Sequence, residues 1–301
     1  MVKTITEVLA ETGGMSPEAT REHILAHYIA LLKVQPRDSF TIEMDIPFGP
    51  HERNRLDVHV PKAKPAKPMP VVMFVFGGGF VQGQKNLHGE WIYGNVPDFF
   101  ARNGMIGINV NYRLAPEHQW PAGAEDVAAA VAWTRKNVEQ YGGDPSQIFI
   151  MGHSSGATHV ATYALRPELH PAGGPGIAGV MILSGGFYMT PETPEPNHLA
   201  YYGEDISKWA HRNLIANAQW GDFEIFLSTA ELEPHSFNRS FTAMLDALTQ
   251  RSGKMPRFAE FNGHNHFSEQ MAIGTGDRQI ETALLDFVRS VTHKKTGGTR
   301  P

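Results

Sequence analysis

The stretch QIFIMGHSSG, residues 147–156, decides the fold of this 301-residue chain. Its first half is a short apolar run that predicts a buried strand, and the residues from Ser155 to Leu165 predict a helix. Between the two lies Gly-x-Ser-x-Gly, with Ser154 at its centre. In a strand–turn–helix context this pattern is typical of a sharp turn that exposes the serine hydroxyl at the carboxyl edge of a sheet. The alternative is a chance match in a glycine-serine loop, which would not require the flanking strand and helix.

Further apolar runs indicate the rest of the sheet. Each is a few residues long without polar alternation, which favours strands buried on both faces of a parallel sheet. They are Val71–Phe76, Met105–Val110, Gly179–Leu183 and Phe223–Leu227. Leu56, Val58 and Val60 instead alternate with polar residues, as in a strand near a sheet edge. Helical patterns lie between the strands, so we predict an α/β fold with a central, mostly parallel sheet flanked by helices.

Nothing in the sequence divides the chain into separate units. It shows no internal repeat and no clear linker, so residues 1–301 are predicted to form one domain. Residues 1–37 are predicted to form a helical element, with a helix start at Ser16-Pro17-Glu18. Whether this element caps the site or mediates a homodimer stays open. Residues 190–220 are polar and aromatic and lie between two strands, which predicts a lid insertion.

Composition excludes several classes of function. The chain has no cysteine, which excludes disulfides, thiolate nucleophiles and cysteine-ligated zinc. Its formal net charge of −5 gives no indication of a basic face for nucleic acid. No stretch reaches the roughly 18 apolar residues of a membrane span, and the N-terminus MVKTITEVLAETGG lacks the apolar run of a signal peptide. We therefore expect a cytoplasmic protein that binds neither nucleic acid nor membranes.

A second glycine-rich segment, FGGGF at residues 76–80, follows the first central strand. A serine that attacks a carbonyl group needs N–H donors close to the developing oxyanion, and glycines permit that approach of the backbone. We expect the amides of Gly78, Gly79 and Ser155 to form this oxyanion hole. A flexible loop is the alternative. Phosphate binding is disfavoured because the segment lacks the Lys-Ser/Thr pair of a phosphate-binding loop.

A nucleophilic serine needs a base, and the base needs an orienting carboxylate. In the chain order serine, acid, histidine, the acid follows the strand FEIFLS and the base follows the strand Arg257–Phe261. Glu231 and Glu233 are both candidates for the acid, and His264 and His266 are both candidates for the base. The His-x-His spacing could also hold a metal, but no third histidine has ligand spacing and no HExxH occurs. We therefore expect no metal and no cofactor.

Three segments resemble the α/β-hydrolase esterases related to hormone-sensitive lipase and the carboxylesterases. They are FGGGF, NYRLAPEHQWPAGAEDV at residues 111–127 and GGDPSQIFIMGHSSGA at residues 142–157. The resemblance runs from about residue 55 to the final helix. It implies the α/β-hydrolase fold, an oxyanion hole on the glycine loop and a serine that attacks an ester. The chain departs from the family at Phe76, where a histidine is usual.

The resemblance also favours one member of each open pair. The segment Ala230–Pro234 looks like the family's A-E-x-D-P, with Glu233 in the acid's place, and the D-H-F and H-D-H-F endings of the superfamily favour His266 as the base. It implies a serine carboxylesterase that hydrolyses small to medium esters through an acyl-enzyme on Ser154. Two alternatives stay open: an amidase or arylformamidase, and a non-catalytic binding protein on the same fold.

Aromatic residues close to the predicted site indicate an apolar substrate pocket. Phe80 follows the glycine loop, and Phe187 and Tyr188 follow the strand after the serine turn. Packing of the core and the lid is the alternative explanation for these side chains. The expected partner is a small-molecule ester.

Overall fold

The computed structural model describes residues 5–10, 17–63, 65–187, 189 and 194–295. In this part of the chain eight strands form one sheet. The strands are β1 Phe40–Pro47, β2 Arg55–Pro61, β3 Met69–Val75, β4 Ile106–Val110, β5 Gly143–His153, β6 Gly179–Leu183, β7 Glu224–Leu232 and β8 Arg257–Asn265. The helices are α1 Ile5–Ala10, α2 Pro17–Lys33, α3 Asn95–Arg102, α4 Ala122–Asn137, α5 Ser155–Leu165, α6 Pro196–Tyr202, α7 Trp209–Arg212, α8 Leu214–Asn217, α9 His235–Ser252, α10 Ser268–Met271 and α11 Arg278–Lys295.

The sheet is mostly parallel, as the sequence predicts. The strand order is β1-β2-β4-β3-β5-β6-β7-β8. β2 pairs antiparallel with β1 and with β4, whereas the pairings that join β4, β3, β5, β6, β7 and β8 are all parallel. The carboxyl ends of β5, β7 and β8 therefore lie at the same edge of the sheet, although they are far apart in sequence. Ligands of open α/β sheets bind at this edge.

The central strands are buried on both faces, which is what their unbroken apolar runs predict. Every residue of β4 and of β6 is buried, and the residues from Val71 to Val75 in β3 are inaccessible to solvent. Full burial of one such aliphatic side chain stabilises the fold by about 1.5–3 kcal/mol. The sheet is therefore a rigid platform for the side chains at its edge.

The alternation in β2 does not mark a solvent-exposed face. Asp57 and His59 occupy its polar positions, and both are buried. Asp57 accepts hydrogen bonds from Lys85 Nζ at 2.7 and 2.8 Å, and His59 Nδ1 lies 2.8 Å from Asp98 Oδ1. Both side chains are therefore stabilised by a charged partner from another element, and β2, the second strand from the edge, has both faces covered.

The N-terminal helical element is present as α1 and α2. The second helix begins at Pro17, and Ser16, its predicted N-cap, lies outside the described residues. Val8 of α1 and Tyr28 of α2 are both buried in the main core, and α1 packs against β8. Among the described helices, none has both the length and the apolar character needed to cross a bilayer.

The segment predicted as a lid insertion lies between β6 and β7 and contains α6, α7 and α8. Its residues 190–193 lie outside the described residues. The rest contributes to a second apolar cluster, separate from the core under the sheet, whose buried members are Phe80, Ala115, Met189, Tyr201, Tyr202 and Trp209. The segment is therefore packed onto the loop that follows the glycine-rich turn.

Candidate active site

Ser154 lies in the turn between β5 and α5. Its backbone has φ 57° and ψ −124°, which a non-glycine residue adopts only under strain. A Cβ on Gly152 would lie 2.3 Å from the Gly156 carbonyl oxygen, and a Cβ on Gly156 would lie 2.2 Å from the Val75 carbonyl oxygen. The Ser154 N–H donates to the Leu183 carbonyl oxygen at 3.0 Å. Close packing on both sides of the turn therefore requires both glycines of the motif.

Ser154, His266 and Glu233 form one continuous chain of hydrogen bonds. His266 Nε2 lies 2.9 Å from Ser154 Oγ, and His266 Nδ1 lies 3.0 and 3.1 Å from the two carboxylate oxygens of Glu233. Because a carboxylate only accepts, Nδ1 carries the proton of the neutral imidazole and Nε2 accepts from the serine hydroxyl. This arrangement of nucleophile, base and orienting acid is that of a Ser-His-acid triad.

The other member of each predicted pair lies elsewhere. Glu231 is exposed and accepts a hydrogen bond from the Gly263 N–H at 2.7 Å. His264 is buried, with Nε2 3.2 Å from Asp277 Oδ2 and Nδ1 3.2 Å from Ser268 Oγ. The two histidines of His-x-His therefore bind different partners and do not converge on one point. Within the described ranges, no group of three or more histidine, aspartate or glutamate side chains is arranged to hold a metal ion.

Burial controls the charge of the triad. It lowers the pKa of His266 to about 4, which keeps the imidazole neutral and able to act as a base. It also raises the pKa of Glu233 to about 7, and a hydrogen bond from Ser184 opposes that rise. The Glu233 side chain itself is inaccessible to solvent. A neutral base and a shielded acid are what proton transfer from Ser154 requires.

His153, inside the motif, supports the base rather than the nucleophile alone. Its Nε2 lies 2.7 Å from the His266 carbonyl oxygen, and the ring centroids of the two histidines are 4.8 Å apart. Since a carbonyl accepts, the His153 Nε2 carries the proton that makes this bond. Burial lowers the pKa of His153 to about 3, so the ring is uncharged.

The glycine loop approaches Ser154 from the end of β3. A Cβ on Gly77 would lie 2.9 Å from the Ser154 Cβ, so the loop backbone directly abuts the nucleophile. Gly79 has φ 58°, and a Cβ on Gly78 would lie 1.9 Å from the Gln82 carbonyl oxygen. Ser155 is the first residue of α5, where backbone N–H groups have no intrahelical partner. The three predicted oxyanion donors thus lie within two residues of Gly77, which abuts the nucleophile, or of Ser154 itself.

Phe76 supports the glycine loop by packing, in the place where the related esterases have a histidine. Its ring is fully buried and stacks on Tyr112, with centroids 4.5 Å apart. Tyr93 also packs on Phe76, and its hydroxyl donates to the Gly77 carbonyl oxygen at 3.1 Å. The sequence did not indicate Tyr93, because it lies outside every recognisable motif.

The predicted aromatic substrate contacts are placed as follows. Phe80 is 4% exposed and stacks on Tyr201 at 4.4 Å between ring centroids. Phe187 is 2% exposed, and its N–H donates to Ser240 Oγ. Tyr188 lies outside the described residues. Phe80 and Phe187 therefore pack inside the protein, and their contact with substrate stays a prediction.

Two aromatic side chains that the sequence did not assign to the site lie against the base. The Phe237 ring centroid is 4.1 Å from that of His266, and the Phe267 centroid is 5.5 Å from it. Phe267 is 53% exposed, so an apolar surface borders the triad where it faces solvent. The proximity of Phe237 to His266 depends on how α9 packs on β7, which the sequence alone does not show.

Comparison with known proteins finds similarity to proteins named esterase and carboxylesterase. A family model described as BD-FAE matches residues 56–169, which include the glycine loop and Ser154. Esterase LipC of Mycobacterium tuberculosis is 37% identical over 39% of this chain and 28% of its own length. Carboxylesterase NlhH of the same species is 39% identical over 32% of this chain and 29% of its own length. The match thus spans less than a third of these curated relatives.

Solved structures match over most of the chain. Esterase B from Lactobacillus rhamnosis has a TM-score of 0.71 at 16% identity and covers 96% of this chain and 95% of its own. A hyperthermophilic esterase from Pyrobaculum calidifontis has a TM-score of 0.67 at 20% identity and covers 94% of this chain and 92% of its own. These likenesses establish the α/β-hydrolase fold. The resemblance to the esterases related to hormone-sensitive lipase and the carboxylesterases, predicted from the sequence, is confirmed.

Proposed function

We propose that this protein is a serine carboxylesterase that hydrolyses small to medium esters. The observation that carries the proposal is the hydrogen-bonded chain from Ser154 through His266 to Glu233, on a strained turn beside a glycine loop. The similarity to proteins named esterase and carboxylesterase supports the same reaction.

Acylation starts at the serine hydroxyl. His266 Nε2 takes the proton from Ser154 Oγ as the oxygen attacks the ester carbonyl. Glu233 accepts from Nδ1, holds the imidazole in the required tautomer and stabilises the imidazolium that forms. The imidazolium then gives its proton to the leaving alkoxide, which departs as an alcohol. Water activated by the same imidazole hydrolyses the acyl-enzyme and regenerates Ser154.

The tetrahedral intermediate carries its negative charge on the former carbonyl oxygen. The amides of Gly78, Gly79 and Ser155 are proposed to donate to this oxygen, because the loop abuts Ser154 and the α5 N-terminus begins directly after it. Loss of one donor of this kind costs about 3 kcal/mol of transition-state stabilisation.

The test is hydrolysis of p-nitrophenyl acetate, butyrate and octanoate by the wild type and by Ser154→Ala. We expect turnover in the wild type and a loss of at least about three orders of magnitude in the variant. Ser207→Ala is the matched control, because Ser207 is exposed and its hydroxyl donates to Asp205, and it should behave as the wild type. Retention of activity in Ser154→Ala would overturn the assignment.

The same assay separates the alternatives. Turnover of a matched anilide with little turnover of the ester would favour an amidase or arylformamidase. Absence of turnover on both would favour a binding protein that retains the triad. A cytoplasmic location and a homodimer also remain proposals; light scattering of the purified protein measures the oligomeric state directly.

A further inference from the structure

Glu269 is a buried carboxyl group that the mechanism above does not use. It lies in α10, three residues after the base, and is completely inaccessible to solvent. Its Oε2 lies 2.5 Å from Ser184 Oγ, and its Oε1 lies 2.6 Å from Ser228 Oγ. Among the described residues, no cation lies within hydrogen-bond distance of Glu269. Ionisation of this fully buried carboxyl group, which has only two hydroxyl contacts, therefore carries a large desolvation cost.

Ser184 connects Glu269 to the triad. It follows β6 directly, and the interaction of its hydroxyl with Glu233 lowers the pKa of that carboxyl group. Its backbone has φ 44°, a strained value for serine, and its N–H donates to the Ser228 carbonyl oxygen at 3.1 Å. The strained backbone holds the Ser184 hydroxyl between the two carboxyl groups.

The number of available protons decides how this cluster is charged. A hydroxyl has one proton to donate, so Ser184 can serve only one carboxylate if both are ionised. If Glu269 is protonated, it donates to Ser184 Oγ, Ser184 donates to Glu233, and Ser228 donates to the other oxygen of Glu269. Every group is then satisfied, and Glu233 alone carries a charge.

The surrounding charges favour the same state. Glu233 faces Glu269 with like charge from the end of β7, and two carboxylates that share a site do not both ionise readily. His264 in β8 acts in the opposite direction, because a positive charge on it lowers the pKa of Glu269. This histidine is already paired with Asp277. Burial, reinforced by the charge of Glu233, raises the pKa of Glu269 to about 7.

We propose that Glu269 is a positioning residue of this site: it retains a proton and, through Ser184, orients Glu233 as the single ionised carboxylate facing His266. The inference rests on the proposed esterase function only for its kinetic consequence. Glu269 touches neither the substrate nor the reacting atoms. It acts by fixing the position and charge of the acid that orients the base.

The first part of the test compares Glu269→Gln with Glu269→Leu by steady-state kinetics on p-nitrophenyl butyrate. A glutamine amide reproduces both the donor and the acceptor of a protonated carboxyl group, so kcat should stay within about threefold of the wild type. Leucine leaves both serine hydroxyls without their partner. We expect kcat to fall at least about tenfold with KM nearly unchanged.

Glu281 provides the matched control. This partly buried glutamate in α11 accepts from the Gly274 and Gly276 N–H groups, each at 2.9 Å, and has no contact with the triad. Glu281→Gln and Glu281→Leu should change the free energy of unfolding. Neither should lower kcat selectively while KM stays unchanged. A tenfold loss of kcat in Glu269→Gln, or equal kcat in Glu269→Leu and the wild type, would overturn the proposal.

Infrared spectroscopy tests the proton without relying on turnover or on a folded leucine variant. The wild type is acidified stepwise from about pH 9, and the first carbonyl stretch of a buried protonated carboxyl group to appear should be absent from Glu269→Gln. A first band that persists in Glu269→Gln and disappears in Glu233→Gln would contradict the proposal, because the first proton would then reside on Glu233. An inactive wild type that shows the expected band would contradict the esterase function and leave this assignment supported.

Discussion

The position of each proton determines which side chains of this site donate and which accept. The proton of neutral His266 lies on Nδ1, towards Glu233, which leaves Nε2 to accept from Ser154. In the opposite tautomer Nε2 would donate to the serine hydroxyl and could not accept its proton, and the carboxylate would be left without a donor. The hydrogen bond from His153 to the His266 carbonyl oxygen fixes the backbone of the same residue.

The pH dependence follows from the charge state of the triad. The active form has neutral His266 and ionised Glu233. Since burial lowers the pKa of His266 to about 4 and raises that of Glu233 to about 7, Glu233 takes up a proton on acidification before His266 does. Activity should therefore be constant at alkaline pH and fall as pH decreases through the neutral range. A profile of kcat/KM between about pH 5 and pH 9 measures this, and a flat profile would contradict it.

Glu233→Gln should disturb the orientation of His266, although glutamine has nearly the same shape as glutamate. A glutamine offers no charge to stabilise the imidazolium and can favour the wrong tautomer, so we expect kcat to fall by about three to four orders of magnitude. The matched control is Glu231→Gln, because Glu231 is exposed and bonds only to a backbone N–H. Steady-state kinetics of both variants decides the assignment. An inactive Glu231→Gln beside an active Glu233→Gln would reverse it.

In the strand–turn–helix element, neighbouring backbone atoms lie too close to the motif's glycines to leave room for a Cβ. A Cβ on Gly156 would lie 2.2 Å from the Val75 carbonyl oxygen, a clash with backbone that cannot rotate away. Gly156→Ala should lower the free energy of unfolding by about 3 kcal/mol. Gly173→Ala is the control, because nothing lies within 4 Å of its Cβ. Urea denaturation measures both, and equal midpoints would show that the turn relaxes easily.

Elements with an unbroken apolar pattern could be predicted from the sequence, and those that depend on distant polar partners could not. The runs that became β3, β4 and β6 are buried on both faces, so hydrophobicity alone specifies them. In β2, Asp57 and His59 are buried because Lys85 and Asp98 reach them from other elements. Local periodicity contains no information about such partners.

At the scale of the whole molecule, the parallel sheet brings the triad together. Ser154 follows β5, Glu233 follows β7, and His266 follows β8, and these strands end at the same edge. The sequence predicted this order, and the members that the resemblance favoured, Glu233 and His266, are hydrogen-bonded to each other, with His266 also bonded to Ser154. Glu269 escaped prediction because its partners, Ser184 and Ser228, come from β6 and β7, which only the folded sheet places side by side.

Covalent labelling is the direct test of whether Ser154 is activated as a nucleophile. The purified protein is treated with a fluorophosphonate, and the site of modification is mapped by peptide mass spectrometry. We predict one phosphonyl adduct, located on Ser154 and absent from Ser154→Ala and from protein unfolded before treatment. An unlabelled wild type, or an adduct that persists in Ser154→Ala, would show that Ser154 is not the activated nucleophile.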